Sequence, residues 1–132
     1  MIPVARPAFS KKERVNLIEA IDSGWISSKG KYIEQFEQAF AKKYGAKYAI
    51  ASSNGTTALH LGLIAAGVKA GDEVIVPDFT FISSANAVVH CGAKPILADI
   101  EKESWCIDPE KIEKLITKRT KAIMAVHIYG RT

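Results

Sequence analysis

From Lys47 onward the chain alternates between short apolar runs and helical stretches, and this alternation limits the folds open to it more than any other feature. "YAIAS", "EVIVP", "KPILAD" and "KAIMAVHI" are β-branched or apolar without a polar residue at every second place, the pattern of strands buried on both faces. Between them lie three stretches with helical signals. They run from Thr56 to Ala66 ending at Gly67, from Phe81 to His90 ending before Gly92, and from Asp108 to Ile116, where Asp108 and Pro109 make an N-cap followed by an N1 proline. The order β-α-β-α-β-α-β predicts a parallel α/β sheet with right-handed crossovers. Two helices are expected ahead of it. "SKKE", Ser10 to Glu13, fits a capping box, with Val15, Ile18 and Ile21 at helical spacing before Gly24. A second helix is read from about Lys31 to Tyr44, with Ile33, Phe36 and Phe40 on one face and Gly45 after it. The expected organisation is N-terminal helices over residues 1–45 and the alternating core over 46–132.

At 132 residues this is at most one ordinary domain, long enough to bury a real core. The 18 Lys and Arg against 14 Asp and Glu give a net charge of +4, but fourteen of the basic residues are lysines scattered between acids. No basic block with interleaved aromatics is present, so nucleic acid is not an expected partner. Cys91 and Cys106 stand fifteen apart with no CxxC and no clustered histidine, which fits reduced thiols in a cytoplasmic protein rather than a metal site or a disulfide. "MIPVARPAF" has Pro3, Arg6 and Pro7 where a secretory leader would need its apolar region, and "ALHLGLIAAG" is too short to span a bilayer, so no membrane partner is expected.

In a parallel sheet, ligands bind beyond the carboxyl ends of the strands. The four expected exits read "SSNGTT", "PDFTF", "DIEKESW" and "HIYG". If Asn54 or Ser53 caps the helix after the first, the amides of Gly55, Thr56 and Thr57 are among the four that lack an intrahelical acceptor. Gly55 permits close approach, the hydroxyls add donors, and the helix dipole favours negative charge. That describes a phosphate cradle, with an ordinary capped helix start as the plainer alternative. It is not a Walker A loop, since no G-K-[ST] follows, and there is no GxGxxG. At the second exit Phe79 and Phe81 flank Thr80, and an aromatic ring there could close one face of a flat heterocycle. For Phe79 the favoured expectation is core packing, and Thr80 fits a cap.

"SGWISSKGKYIEQFEQAFAKKYGAKYAIASSNGTTALHLGL", "GDEVIVPDFTFISSANAV", "CGAKPILADI" and "TKRTKAIMAVHIYG" together resemble the start of the DegT/StrS family of pyridoxal phosphate (PLP) dependent nucleotide-sugar aminotransferases. The likeness covers essentially the whole chain in the right order. It implies a fold type I aminotransferase: a partial three-layer sandwich with a mostly parallel sheet in the large PLP-binding domain, a smaller C-terminal domain, and a homodimer with active sites at the interface. It further implies that Thr56 and Thr57, with Gly55 alongside, bind the PLP phosphate, and that Phe81 stacks on the pyridine ring. The partners implied are a nucleotide-linked keto sugar and an amino-acid donor, usually glutamate.

Such chemistry also needs a Schiff-base lysine and an acid at the pyridine nitrogen, and in relatives both lie beyond the "HxYG" segment. Lys47, Lys94 and Lys121 each precede a strand, roughly 15 to 20 Å from the exits. Lys69 lies on that same edge, and Lys29 and Lys31 flank Gly30 with no apolar pocket evident to lower a pKa. No catalytic residue is therefore expected within these 132 residues, and the resemblance implies the first third or so of such an enzyme, with the C-terminal part absent. Asp99 reads as a structural cap and His60 as a partly buried histidine. His90 and Cys91 read as an ordinary helix end, while His127, Tyr129 and Trp25 are open as to role. Two other readings stand beside the enzyme: a phosphate-binding module without chemistry, and an interaction protein on the same fold.

Overall fold

The computed structural model describes residues 2–3 and 5–132, which form two compact units, residues 1–51 and 52–132. The first unit holds α1 (Lys11–Asp22) and α2 (Lys31–Tyr44). Ser10 caps α1 as its sequence requires: the Lys12 amide donates to Ser10 Oγ at 3.1 Å, and the Ser10 amide donates to Glu13 Oε2 at 2.7 Å. Glu19 ties the two helices together, pairing with the Lys31 ammonium and accepting from the Tyr32 hydroxyl at 2.6 Å. Phe36, Phe40 and Tyr44 stack along α2 with centroids 5.6 and 4.5 Å apart, and Gly45 ends the helix at φ 65°, a left-handed conformation that glycine adopts without strain.

"YAIAS", expected as the first strand, is not a strand: residues 46–54 carry no sheet pairing. Tyr48 and Ile50 are 75 % and 76 % exposed. An apolar run becomes a strand only when a neighbour completes its ladder. Here the one side-chain tie to its backbone is Ala51 N–H donating to Glu37 Oε1 at 2.8 Å.

The second unit contains α3 (Gly55–Ala65), β1 (Glu73–Pro77), α4 (Ser83–His90), β2 (Lys94–Ala98), α5 (Pro109–Glu113), β3 (Thr120–Ile123) and a short 3-10 turn (Ile128–Gly130). The sheet order is β2-β1-β3, all parallel, with Glu73 to Pro77 registered on Lys94 to Ala98 and Ile75 on Ile123. Its core joins Val74 and Val76 of β1 to Leu63 and Val68 on the α3 side and to Ala87 and Val88 of α4. Burial on both faces, expected of every strand, holds for β1 alone, all five of whose residues are buried. On β2 only Ala98 is buried, and Leu97 is 60 % exposed; on β3 Ile123 is 48 % exposed. Both are edge strands, and an edge strand is covered only by what packs over it. Asp108 caps α5 with Pro109 in its first turn as expected, but the helix stops at Glu113 rather than Ile116. Gly92, at φ +70°, ends the turn after α4, and a Cβ there would lie 3.1 Å from that of Ala70. No helix among the described residues is long and apolar enough to cross a membrane.

One carboxylate sits inside this core. Glu73, 3 % exposed at the amino end of β1, accepts from the Thr117 hydroxyl at 2.6 Å and from Arg119 Nε and Nη2 at 2.9 and 2.6 Å. The Thr117 hydrogen bond, then the Arg119 contacts, hold its carboxyl below the usual carboxylate range. Because the folded form releases this proton more readily than the unfolded form, the contribution to stability is complete above the ordinary carboxylate pKa. It is lost as the pH falls through the lower folded value. Glu73→Gln should therefore lower the urea midpoint at neutral pH, with the gap to the parent closing as the medium is acidified. A gap constant with pH would remove the carboxylate from this role.

Candidate anion site at the strand exits

The first turn of α3 is built by Asn54. Its Oδ1 accepts from Thr57 N–H at 3.0 Å, while Thr57 Oγ1 accepts from Asn54 N–H at 3.3 Å and donates to the Asn54 carbonyl at 2.8 Å. Ser53 Oγ lies 3.3 Å from Thr57 Oγ1, and Ser52 Oγ donates to the Asn54 carbonyl at 3.1 Å. The first intrahelical bond runs from Ala58 N–H to the Asn54 carbonyl at 3.1 Å, so the Gly55 and Thr56 amides lie ahead of the ladder without an intrahelical acceptor. No atom comes within 4 Å of where a Cβ on Gly55 would stand, and Ala51 to His60 includes no acid. Open amides, the hydroxyls of Ser52, Ser53, Thr56 and Thr57, a helix N-terminus and no repelling charge suit a dianion such as a phosphate monoester. Thr57, though exposed, is already engaged in the cap, whereas Thr56 is half-buried.

Gly55, Thr56 and Thr57 are thus consecutive around one helix start, and Gly55 shares a cleft of about 610 Å³ with Ser83 at the start of α4 and with Ala122 to Met124 on and just beyond β3. Phe81 lies in the turn before α4, two residues from Ser83, and is 74 % exposed. Thr80, expected as a cap, does not cap α4, whose N-cap is Ile82 without a side-chain bond; its hydroxyl instead lies 3.1 Å from Ser84 Oγ. Phe79 does not enter the core: it is 43 % exposed and meets Trp105 edge-on, centroids 5.8 Å apart. Asp99 accepts from the Ile100 amide at 3.0 Å, but no helix starts there, so it is not the cap expected. His127 precedes the 3-10 turn, and both it and Tyr129 are exposed.

Two groupings escaped the sequence. His60 on α3 and His90 on α4 come together with ring centroids 5.7 Å apart, because the helices pack side by side. Trp105 joins Phe79 to Tyr129, at 6.2 Å, across three strand exits. Helical periodicity could have suggested the first pairing, and nothing in the spacing announces the second. Cys91, half-buried at the end of α4, has its thiol pKa pushed up by burial, which makes it a poor nucleophile. Trp25 belongs to the first unit, where it lines a cavity of about 550 Å³ with Tyr32 and Lys29.

Known proteins resemble the chain throughout. It is 53 % identical to the GDP-perosamine synthase of Vibrio cholerae over 131 residues, 99 % of this chain and 36 % of that protein. Among solved structures, NtdA of Bacillus subtilis with its bound cofactor PMP matches at a TM-score of 0.86 and 41 % identity, over 94 % of this chain and 29 % of that one. GDP-4-keto-6-deoxymannose-3-dehydratase with a trapped PLP-glutamate geminal diamine matches at 0.79 and 31 % identity, over 93 % and 33 %. The chain therefore spans about a third of the length of these relatives, whose fold its parallel α/β unit shares. The model of the DegT/DnrJ/EryC1/StrS aminotransferase family matches residues 7–132, and with the strand-exit geometry above it leads to one conclusion: this chain belongs to that family.

Proposed function

We propose that residues 1–132 are the N-terminal portion of the large cofactor-binding domain of a PLP-dependent aminotransferase. The enzyme moves an amino group from glutamate to the ketone of a nucleotide-linked keto sugar and works as a homodimer. The observation that carries this reading is the cluster of open donors at the start of α3, in a chain 53 % identical to a GDP-perosamine synthase. When bound, PLP supplies the electron sink that amino transfer requires.

The chain's own residues bind and orient. The Gly55 and Thr56 amides would hold the phosphate against the positive end of α3, with the Thr56 hydroxyl and, once its proton turns from the Asn54 carbonyl, the Thr57 hydroxyl. Phe81, exposed as it stands, would cover one face of the pyridine ring. The Schiff-base lysine and the acid at the pyridine nitrogen belong to chain beyond Thr132 in this reading. Glutamate as donor is supported by the PLP-glutamate adduct in the dehydratase relative.

The full-length protein carrying this segment, incubated with PLP, L-glutamate and GDP-4-keto-6-deoxymannose, should release 2-oxoglutarate and an amino-sugar nucleotide in equal amounts, read by mass spectrometry. PLP retention without either product would instead favour a binding module on the same fold. Failure to retain PLP at all would favour an interaction protein.

A further inference from the structure

Three strand exits each contribute one aromatic ring to a single cluster. Phe79 follows β1 by two residues, Trp105 lies in the excursion between β2 and α5, and Tyr129 follows β3. Trp105 stands between the other two, meeting Phe79 at 82° and Tyr129 at 71°, both edge-on. The Arg131 guanidinium sits 5.7 Å from the Trp105 ring centroid and donates to the Glu103 carbonyl at 2.5 Å, and Cys106 Sγ donates to the Arg131 carbonyl at 3.5 Å. The segment after β3 is thereby laced to the excursion after β2.

The backbone under these rings is unusual. Among the described residues, Trp105 at φ 61° and Tyr129 at φ 50° are the two non-glycine residues with positive φ. Bulky side chains rarely occupy that region, because Cβ crowds the following carbonyl. Trp105 reaches it in a closed loop: Glu101 N–H donates to the Cys106 carbonyl at 3.0 Å, Trp105 N–H donates to the Glu101 carbonyl at 2.9 Å, and Ile100 bridges Ile107. A residue at such a place is ordinarily glycine or asparagine. Two strained residues in mutual contact persist only where the surroundings over-determine them, and such residues gather at functional sites.

Trp105 touches the turn that carries Phe81, and Tyr129 backs Trp105. That turn is held at its start by Asp78 N–H donating to the Ala98 carbonyl at 2.9 Å and at its end by Thr80 against Ser84, while between them Phe79 rests on Trp105. Among the described residues Phe81 stacks on no other ring, and its backbone is held by this turn and by the Ser84 amide, which donates to the Phe81 carbonyl at 3.0 Å. We propose that Phe79, Trp105 and Tyr129 form a brace that orients the Asp78–Ile82 turn, which makes Trp105 and Tyr129 positioning residues for the face that Phe81 presents to the cofactor. The inference rests on the reading of Phe81 given above, and its test separates the two.

Trp105→Gly suits the left-handed backbone and removes the ring, whereas Trp105→Phe keeps an edge-on partner. In the cofactor-free full-length protein, Trp105→Gly should speed amide hydrogen exchange over residues 80–84 on the order of tenfold, because two ring contacts are lost. Trp105→Phe should stay within about twofold of the parent. With PLP bound, Trp105→Gly should also diminish the visible circular dichroism of the cofactor, and Trp105→Phe should restore it. Unchanged exchange over residues 80–84 in Trp105→Gly overturns the brace, as does an equal acceleration across residues 52–132, which would mark general destabilisation. Should Trp105→Gly not fold, Phe79→Leu carries the same measurement without touching a left-handed residue. Phe81→Ala judges the cofactor reading separately: if visible dichroism and PLP retention survive it, that reading fails while the exchange result still decides the brace.

Discussion

The full-length protein bearing Thr56→Val and Thr57→Val together should retain PLP on the order of 100-fold less tightly than its parent. A hydrogen bond to a charged group contributes about 1.5–3 kcal/mol, and about 1.4 kcal/mol is a factor of ten, so two hydroxyls on a dianion account for at least that loss. The lower end of the range applies because the Gly55 and Thr56 amides and the positive end of α3 remain in place. Thr57 complicates the reading, since its hydroxyl also closes the helix start against Asn54. Losing a cap costs about 0.5–2 kcal/mol of helix stability whatever binds there. Thr57→Ser, which keeps the hydroxyl, should therefore behave like the parent, whereas Asn54→Ala removes the cap and spares both threonines. Dialysis against PLP-free buffer, followed by absorbance of the retained cofactor, measures all four proteins. Retention by the double variant within about twofold of the parent would detach the phosphate from the Thr56 and Thr57 hydroxyls, since even one charged hydrogen bond is a larger effect.

Ile75→Ala should cause the largest loss of stability of any substitution considered, about 2–5 kcal/mol. Ile75 lies at the middle of β1 with no exposure, registered on Ile96 to one side and Ile123 to the other. Its removal leaves a void in the one strand buried on both faces, where neighbours held by two ladders cannot collapse to fill it. Urea unfolding of the full-length protein provides the measure. A loss below about 1 kcal/mol would place Ile75 among ordinary surface-like positions and refute the central role given to β1.

What the sequence made legible was mostly local chemistry. The Ser10 box, the Gly45 stop, and Asp108 with Pro109 all read correctly, because a cap is decided by residues three or four apart. The choice between Ser53 and Asn54 was open in sequence, and the structure settles it for Asn54. Properties that depend on distant neighbours were not legible. "YAIAS" has the composition of a strand but no ladder partner, and Leu97 and Ile123 have the composition of core residues but lie on edge strands. Phe79 looked like a core residue because its partner, Trp105, is 26 positions away and carries no mark of its own. A left-handed glycine or asparagine would have signalled a turn, whereas a left-handed tryptophan looks like any other tryptophan until its backbone is seen. For the site, donor chemistry pointed to the start of α3 as a candidate cradle, and it was family likeness, not spacing, that suggested the roles proposed for Thr56, Thr57 and Phe81.

The strand order has a consequence for the newborn chain. β1 is the middle strand, yet both of its neighbours are made after it, and Arg119, which pairs with Glu73, follows by 46 residues. At roughly 5–20 residues per second, Glu73 waits on the order of 2–10 s for its arginine while the ribosome works. Until then burying its unpaired carboxylate is costly, which favours leaving the amino end of β1 in water. Codon choices that slow elongation between Lys94 and Arg119 would lengthen that interval, and chaperone capture of the nascent chain should rise with it.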